Sequence, residues 1–388
     1  MKHWLINPNH VTLPRHLVEH ELMARVWDGI DPMQVWDSHA HLAGVGDSSD
    51  GRGGAWFNPK MNSIIHPMLW LHKQFIMNAG GVRDPSDGID QQYIDRMREL
   101  LAGMPAGVKI MLLAFDYAHG EDGKARLDES TFFVSNDYAA DVCRRYPDSF
   151  EWFASVHPCR PDAADEVRRA AAAGARGMKW LPSSQLIDPA SPLCKPFYEA
   201  MAETGLAMVA HAGAEKAVPG GRQEDGNPLK LRYALDAGVK IIVAHCASDG
   251  HDTDLDKGAS GPVVKSYELF ARMMDESRYE GLLFADISAT TLLTRGWALR
   301  AVLERPDWHH RLLNGSDYPL PGVMPMNSPR ALALSRVLDS EVVPFLCELK
   351  QYNPLLYDFA VKRFARSNGH TFPASVFETR RFFEENEA

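Results

Sequence analysis

AMVAHAG (207–213), NPLKLRYALDAG (227–238) and KIIVAHCAS (240–248) are the consecutive segments that decide the fold. A short apolar run, a helical pattern and a second apolar run are typical of two parallel β-strands joined by a helix. The two apolar runs contain His211 and His245 where each strand is expected to end. Because the carboxyl ends of parallel barrel strands meet at one mouth, this unit predicts two imidazoles at a functional site.

The same alternation extends along the chain in both directions. Six further apolar runs are QVWDSHAHL from Gln34, VKIMLLAFD from Val108, FEWFASVHP from Phe150, GMKWLP from Gly177, LLFADISAT from Leu282 and RLLNGSDYP from Arg311. Eight strand–helix repeats predict an α/β fold, a closed (β/α)8 TIM barrel. The alternative is an open doubly wound sheet, but that fold normally carries a glycine-rich phosphate loop after an early strand, and this sequence has none.

We expect a single domain over residues 1–388. Three segments of it are additional to the eight strand–helix repeats. Residues 1–32 include PRHLVEHELMARVWDGI, whose spacing predicts an amphipathic helix ahead of the first strand. A long insertion follows that strand over residues 44–107, where a barrel places its active-site loops. We interpret it as a lid or substrate wall, with simple packing over the barrel end as the alternative. Residues 327–388 are expected to form C-terminal helices on the barrel exterior.

Composition narrows the class of partner. Of the 388 residues, 41 are basic and 51 are acidic, the net charge is −10, and no Lys/Arg run could neutralise a phosphate backbone. No run approaches the roughly 18 apolar residues of a spanning helix, and the first residues lack a secretory apolar region. The five cysteines form no Cys-x-x-Cys pair and fit reduced thiols. We therefore expect a cytoplasmic protein with a small-molecule substrate and without nucleic-acid or membrane partners. Its exterior helices are compatible with a homo-oligomer.

Polar residues at the ends of apolar strands are the feature that indicates function. His39 and His41 end the first run, and alternation along a strand places both on one face. With His211, His245 and Asp317 at the ends of the fifth, sixth and eighth runs, four imidazoles and one carboxylate can converge. This donor set suits zinc, manganese, iron or cobalt, and it does not suit copper–thiolate or iron–sulfur chemistry. A single strand-end histidine is usually a hydrogen-bonded rim residue, but the combination predicts a divalent metal site.

The pattern resembles the amidohydrolase superfamily, in particular its branch of metal-dependent TIM-barrel hydrolases that includes aminocarboxymuconate semialdehyde decarboxylase. The resemblance covers residues 35–318 and includes GARGMKWLPSSQLIDPASPLCKPFYEAMAETGLAMVAHAG (174–213). It implies that the metal ligands are His39, His41, His211 and Asp317. It also implies that His245 either binds a second metal or orients the attacking water. The long insertion departs from the shortest members of the branch, so the resemblance leaves the substrate open.

Lys179, in GMKWLP, has two interpretations. Because Met178 and Trp180 should face the opposite way, its amine could enter the barrel and act as a metal-site residue. In binuclear members of the superfamily, a lysine on this strand forms a carbamate that bridges two metals, and a buried amine has the depressed pKa that this reaction needs. The alternative is a cation that binds a substrate carboxylate or pairs with Asp286. The expected count is therefore one or two metals per chain, zinc first, with manganese or iron as alternatives.

Further residues are candidates for substrate contact. His157 ends the third run. Asp286, in FADISAT, could contact substrate or hold a ligand histidine through its second ring nitrogen. Aromatic residues of the insertion favour a partly apolar substrate, although they could equally close the core; they are Trp56, Phe57, Trp70 and Phe75.

Three enzyme activities fit this donor set. The leading expectation is hydrolysis of a carbonyl-type bond (amide, lactone, ester or thioester) by metal-bound hydroxide, with Asp317 as acid–base residue and His245 orienting the water or oxyanion. Nonoxidative decarboxylation of an unsaturated or aromatic carboxylic acid is the alternative, with Lys179 or Arg222 binding the carboxylate. Oxygen activation by a dinuclear iron centre is a third activity. The non-enzymatic hypothesis is a metal-binding scaffold or a small-molecule sensor.

Overall fold

The computed structural model describes residues 7–48, 54–218 and 220–384. Eight parallel strands form its centre and are numbered β1 to β8 in chain order: Trp36–His41, Lys109–Leu113, Phe150–Phe153, Gly177–Trp180, Ala207–His211, Ile241–Ala244, Leu283–Asp286 and Leu312–Leu313. Each strand lies within one of the eight apolar runs, which confirms the predicted strand pattern.

The strands follow one another around the barrel in chain order. β1, β2 and β3 pair in parallel, and so do β4 to β8. At one seam between these two sheets, the amide of Ala154 donates to the carbonyl oxygen of Gly177 (2.9 Å). At the other seam, the amide of His41 donates to the carbonyl oxygen of Tyr318 (2.8 Å). The chain therefore has the α/β-barrel fold that the sequence predicts.

The interior of the barrel is closed by an apolar layer beneath the mouth. Large residues from several strands form one buried cluster together with Phe383 of the C-terminal helix Arg380–Glu384; they include Trp36, Met111, Phe153, Val209 and Ile242. The Phe383 ring stacks at 6.5 Å from Trp36, the first residue of β1. Apolar packing therefore fills the barrel interior beneath the mouth, and the polar groups lie above it.

An irregularity in β1 sets the direction of its histidines. Between Asp37 and Ala40, β1 advances three positions while its partner β2 advances two. The extra residue is a β-bulge, which reverses the inward–outward alternation beyond it. As a result Trp36 and His41, five positions apart, both face the barrel interior.

Helices surround the strands and extend the chain at both ends. The described α-helices are Arg15–Val18, Glu21–Trp27, Pro67–Ala79, Ile89–Ala102, Asn136–Arg145, Ala163–Ala172, Pro182–Gln185, Lys195–Thr204, Arg232–Asp236, Ser266–Met274, Gly296–Leu303, Pro329–Leu334, Val343–Tyr352, Pro354–Phe364 and Arg380–Glu384. The prediction of one amphipathic helix near the N-terminus is wrong, because two helices lie there. His20 between them is extended, and its ring accepts a hydrogen bond from the amide of Leu22 (3.1 Å), which starts the second helix. None of the described helices is long and apolar enough to span a bilayer.

The insertion after β1 forms its own small structure at the mouth. Its strand Ala55–Phe57 pairs with Phe132–Val134 after β2, and its helix Pro67–Ala79 follows. Residues 49–53, near the start of this insertion, lie outside the described residues. The last helix of the segment, Ile89–Ala102, leads into β2 as the crossover helix of the barrel.

Candidate metal centre

The strand-end residues meet around the carboxylate of Asp317, just beyond β8. Its Oδ1 lies 3.2 Å from Nε2 of His41 and 3.5 Å from Nε2 of His39. Its Oδ2 lies 3.6 Å from Nε2 of His245, and the rings of His245 and His211 are 5.5 Å apart. The tertiary structure thus brings together all five residues that the sequence pattern singled out.

Two of these residues depend on an unusual backbone conformation. His245 and Asp317 have φ angles of 54° and 61°, in the left-handed region that side chains other than glycine rarely adopt. Hydrogen bonds hold both: the amide of His245 donates to Oδ1 of Asp286 (2.9 Å), and the amide of Asp317 donates to the carbonyl oxygen of His39 (2.7 Å). Such conformations cost about 1–3 kcal/mol each and concentrate at functional sites.

Asp286, at the end of β7, orients two of the histidines from behind. Nδ1 of His39 donates to its Oδ2 (2.8 Å). Nδ1 of His245 donates to Oγ of Ser288 (2.7 Å), and that hydroxyl in turn donates to Asp286. Both rings therefore direct Nε2 towards Asp317, as expected where a carboxylate holds a metal-binding imidazole.

The electrostatics favour the protonation states that bind a metal. Burial lowers the pKa of His39, His211 and His245, so these rings are neutral near pH 7. Burial by itself would raise the pKa of Asp317, but the surrounding histidines, His245 first, outweigh it and hold that pKa well below its usual range. Neutral imidazoles and an ionised carboxylate are the ligand forms required for a divalent cation.

Lys179 projects from β4 into the same group. Its Nζ lies 3.1 Å from Nε2 of His39, and the side chain is fully buried. Burial lowers the pKa of the amine to about 8, although Asp317 and Asp286 oppose the shift. Its neighbours Met178 and Trp180 pack in the outer core, on the opposite face of the strand.

Glu215 is a member of the site that the sequence analysis missed. It lies four residues beyond β5, yet its Oε2 is 3.2 Å from Nε2 of His211. Its Oε1 accepts hydrogen bonds from the amides of Ala217 and Val218. Burial raises the pKa of this carboxyl. No periodic signal could have found it, because the loop after the strand has to turn back to place it.

Beside the donors lies a cavity of about 90 Å³ with mainly apolar walls. Residues of the insertion form part of the wall, namely Phe57, Met61, His72 and Ile76, and the metal-type donors His41, His211 and Asp317 also reach it. The described part of the insertion thus borders the space in front of the donors.

A second missed residue, Arg295, also lines this cavity. Its Nη1 is buried and has no hydrogen-bond partner within residues 7–48, 54–218 and 220–384. A buried, unpartnered guanidinium nitrogen of this kind is costly unless an acceptor such as an anion binds it. The helix Gly296–Leu303 begins at the next residue, so the side chain projects from a loop after β7.

Several sequence candidates lie elsewhere. Asp286 is fully buried behind the histidines, outside the cavity wall. His157 uses both ring nitrogens internally, with Gln185 and Cys159, and burial lowers its pKa to about 3. Trp70 is 38% exposed and does not line the cavity, and Arg222 pairs with Asp225 (2.7 Å) away from the donors.

The donors form two groups that could hold a metal ion: His39, His41 and Asp317, and His39, His245 and Asp286. The second group uses the Nδ1 side of the histidines, where Asp286 already accepts a hydrogen bond from His39. The first group offers Nε2 and carboxylate oxygen atoms towards the cavity. These nitrogen and oxygen donors fit a divalent cation.

The sequence matches the amidohydrolase family over residues 36–341. The chain belongs to this family. It is therefore an enzyme with the amidohydrolase fold. No curated protein matches the sequence.

Solved structures resemble this amidohydrolase at low sequence identity. A 5-carboxyvanillate decarboxylase from Novosphingobium aromaticivorans, in complex with manganese and 4-hydroxy-3-methoxy-5-nitrobenzoic acid, is 14% identical over 92% of this chain and 98% of its own, with a TM-score of 0.50. A candidate 2-pyrone-4,6-dicarboxylic acid hydrolase from Pseudomonas putida is 16% identical over 91% and 98% of the two chains, with a TM-score of 0.47. An uncharacterized TIM-barrel protein from Bordetella bronchiseptica is 14% identical over 81% and 99%, with a TM-score of 0.48. The first of these agrees with the barrel fold.

Proposed function

We propose that this amidohydrolase-family enzyme is a metal-dependent nonoxidative decarboxylase of a small aromatic or unsaturated carboxylic acid. The observation that carries the proposal is Arg295, which lines an apolar cavity and whose Nη1 is buried without a partner among the described residues. A planar guanidinium group binds carboxylates in a defined orientation. The apolar walls suit the hydrocarbon part of such an acid.

The proposed metal ligands are His39, His41, His211 and Asp317, with His245 and Lys179 beside them. A divalent cation bound there would act as a Lewis acid towards substrate oxygen atoms. Manganese in the 5-carboxyvanillate decarboxylase complex supports this kind of ion, and zinc and iron remain candidates for the same nitrogen and oxygen donors.

The protein groups have separate roles in this proposal. Arg295 binds an anionic group of the acid and fixes its position, while the walls around Phe57 and Ile76 exclude water. Loss of the carboxyl group as carbon dioxide leaves an electron pair on the substrate carbon, and a proton must replace the lost group there. Asp317 and His245, whose Oδ2 and Nε2 are 3.6 Å apart, pass this proton from water to the carbon.

Hydrolysis of a carbonyl-type bond is the second candidate. The same pair favours it, because Asp317 could accept a proton from water while His245 orients that water. In that case Arg295 would bind a carboxylate that stays in the product.

Isotope labelling separates the two reactions. The metal-loaded protein is incubated in deuterated, ¹⁸O-enriched water with aromatic and unsaturated acids labelled with ¹³C in the carboxyl group, and with lactones and esters that carry a carboxylate. The proposal expects ¹³C-carbon dioxide, a deuteron at the vacated carbon and no oxygen consumption. A product that gains ¹⁸O without releasing carbon dioxide would establish the hydrolase instead.

Two variants test the observation behind the proposal. Arg295→Met should abolish turnover of the acid that reacts. Arg300→Met is the matched control, because Arg300 lies on the helix that begins directly after Arg295, is exposed and pairs with Glu304 (3.0 Å). Equal activity of the two variants would show that Arg295 does not bind the substrate carboxylate.

A further inference from the structure

We infer that Glu215 is a metal ligand of this centre, paired with His211. The inference rests on the metal centre of the proposed function and adds to it a carboxylate that the family resemblance does not supply. It concerns which atoms bind the cation, and it holds for either reaction.

The separation of the two donor atoms is the first argument. Nitrogen and oxygen ligands of a divalent cation such as zinc lie about 2.0–2.2 Å from it, so neighbouring ligands on one ion are about 3.0–3.4 Å apart. Oε2 of Glu215 and Nε2 of His211 are 3.2 Å apart. Oδ1 of Asp317 and Nε2 of His41, both in the family's ligand set, are also 3.2 Å apart. The new pair therefore has the geometry of the expected one.

The loop after β5 holds Glu215 in place before any ligand binds. Gly213 has a φ of 85° and packs so closely against the carbonyl oxygen of Asp249 that a side chain would clash. The amide of Ala214 donates to that same oxygen (2.9 Å). The chain thus turns back to the mouth, where Val218 donates its amide to Oε1 of Glu215 (2.7 Å) and leaves Oε2 directed at His211.

The charge of the carboxylate is the second argument. Only 5% of the Glu215 side chain is exposed, and no lysine or arginine nitrogen lies within 4.0 Å of its carboxylate within the described ranges, although the charge of Arg295 in the same cavity wall opposes the rise of its pKa. Some buried carboxylates away from the mouth have a direct ion pair: Asp116 pairs with Arg160 (3.0 Å), and Asp254 pairs with Arg272 (2.7 Å). A buried anion is stabilised by positive charge, and a bound divalent metal would add to the charge that Arg295 supplies.

Histidine 211 itself supports the same assignment. Its Nδ1 is buried without a hydrogen-bond partner in the part of the chain that the structure describes, unlike Nδ1 of His39 and of His245. Among the described residues, the close polar contact of this ring is thus with Oε2 of Glu215, and a cation shared by Nε2 and Oε2 would hold both groups.

A cobalt titration tests the inference without substrate. Metal-free protein, Glu215→Gln and the control Glu224→Gln, which alters an exposed carboxylate of the same loop, are titrated with Co²⁺ and followed by visible absorption and by plasma mass spectrometry. We expect Glu215→Gln to lose one equivalent of metal or to weaken its binding about 10- to 100-fold, with a changed spectrum, since weakening even an outer partner of a ligand has effects of this size. Glu224→Gln should match the native protein.

Unchanged stoichiometry, affinity within twofold and an unchanged spectrum for Glu215→Gln would overturn the inference. If that variant does not fold, as judged by circular dichroism, Glu215→Asp decides the matter, because it keeps the charge but shortens the reach and should also weaken cobalt binding. A protein without decarboxylase or hydrolase activity whose Glu215→Gln variant binds cobalt weakly would refute the proposed function alone.

Discussion

The two sides of the barrel mouth differ in how completely the protein satisfies its own polar groups. At the ends of β1, β6 and β7, His39 and His245 each use Nδ1 in a hydrogen bond that leads to Asp286. On the side of the β5 loop and Arg295, Nδ1 of His211 and Nη1 of Arg295 are buried without partners among the described residues. Buried polar groups are normally hydrogen-bonded, so the exceptions indicate where a ligand belongs. The first side is ordered by the protein's own hydrogen bonds, and the second is where we propose that a cation and an anionic substrate bind.

The largest effect should come from the residue that joins the two sides. Asp317→Asn keeps the size of the side chain but removes its charge and its ability to take up a proton. We expect turnover to fall about 10²- to 10⁴-fold and metal content to drop. Asp122→Asn, at an exposed carboxylate, is the control. If Asp317→Asn kept the metal content and turnover of the native protein, Asp317 would be neither a metal ligand nor an acid–base residue.

The ordered side should respond next, through orientation. Asp286→Asn leaves all proposed ligands in place but weakens the contacts that fix His39 and His245. We expect metal affinity to fall about 10- to 100-fold, measured by competition with a chelator. A loss of thermal stability with unchanged metal affinity would instead indicate a purely structural role.

On the incomplete side, Arg295→Lys should separate binding from chemistry. A lysine keeps the charge but cannot reproduce the paired N–H donors of a guanidinium group. Because hydrogen bonds to charged groups contribute about 1.5–3 kcal/mol, we expect KM to rise about 10- to 100-fold with a smaller change in kcat. Steady-state kinetics on the substrate from the labelling panel would measure this, and an unchanged KM would contradict it.

We expect the smallest effects on activity from substitutions of two aromatic residues of the insertion, and these effects should differ. Phe57 is 9% exposed and lines the cavity, whereas Trp70 is 38% exposed and does not. Phe57→Leu should change the relative kcat/KM of small and large acids, because it reshapes the wall. Trp70→Ala should change turnover by less than about twofold. It should change the free energy of unfolding by less than about 0.5 kcal/mol, as is usual for surface positions. If Trp70→Ala changed kcat/KM more than Phe57→Leu, the substrate would lie against the outer face of the helix Pro67–Ala79.

The strand pattern was predictable because it depends on local periodicity. All eight apolar runs contain a barrel strand, and His39, His41, His211 and His245 meet around Asp317, whereas His157 at the end of the third run does not join them. The N-terminal helix was predicted less well, because helical spacing alone does not reveal that the His20 ring caps a second helix. Residue type alone also suggested Trp70 as a substrate contact, but its position in the tertiary structure is outside the cavity wall.

Glu215 and Arg295 escaped prediction because both lie on loops. The side-chain direction of a strand residue follows from alternation, but that of a loop residue follows from turns such as the one at Gly213. A carboxylate four residues after His211 was the only sequence signal for Glu215, and such a spacing carries no meaning outside a helix.

The sequence by itself determined the number and order of the strands, the residues at their ends and the nitrogen and oxygen character of the donors, because these depend on residue type and local spacing. Tertiary structure alone decided how those donors are aimed. The β-bulge in β1 turns His41 inward, and the left-handed backbone at His245 and Asp317 is maintained by hydrogen bonds to residues distant in sequence. It also decided that Asp286 lies behind the histidines, where it orients them, because burial and contact between strands far apart in the chain exist only in the closed barrel.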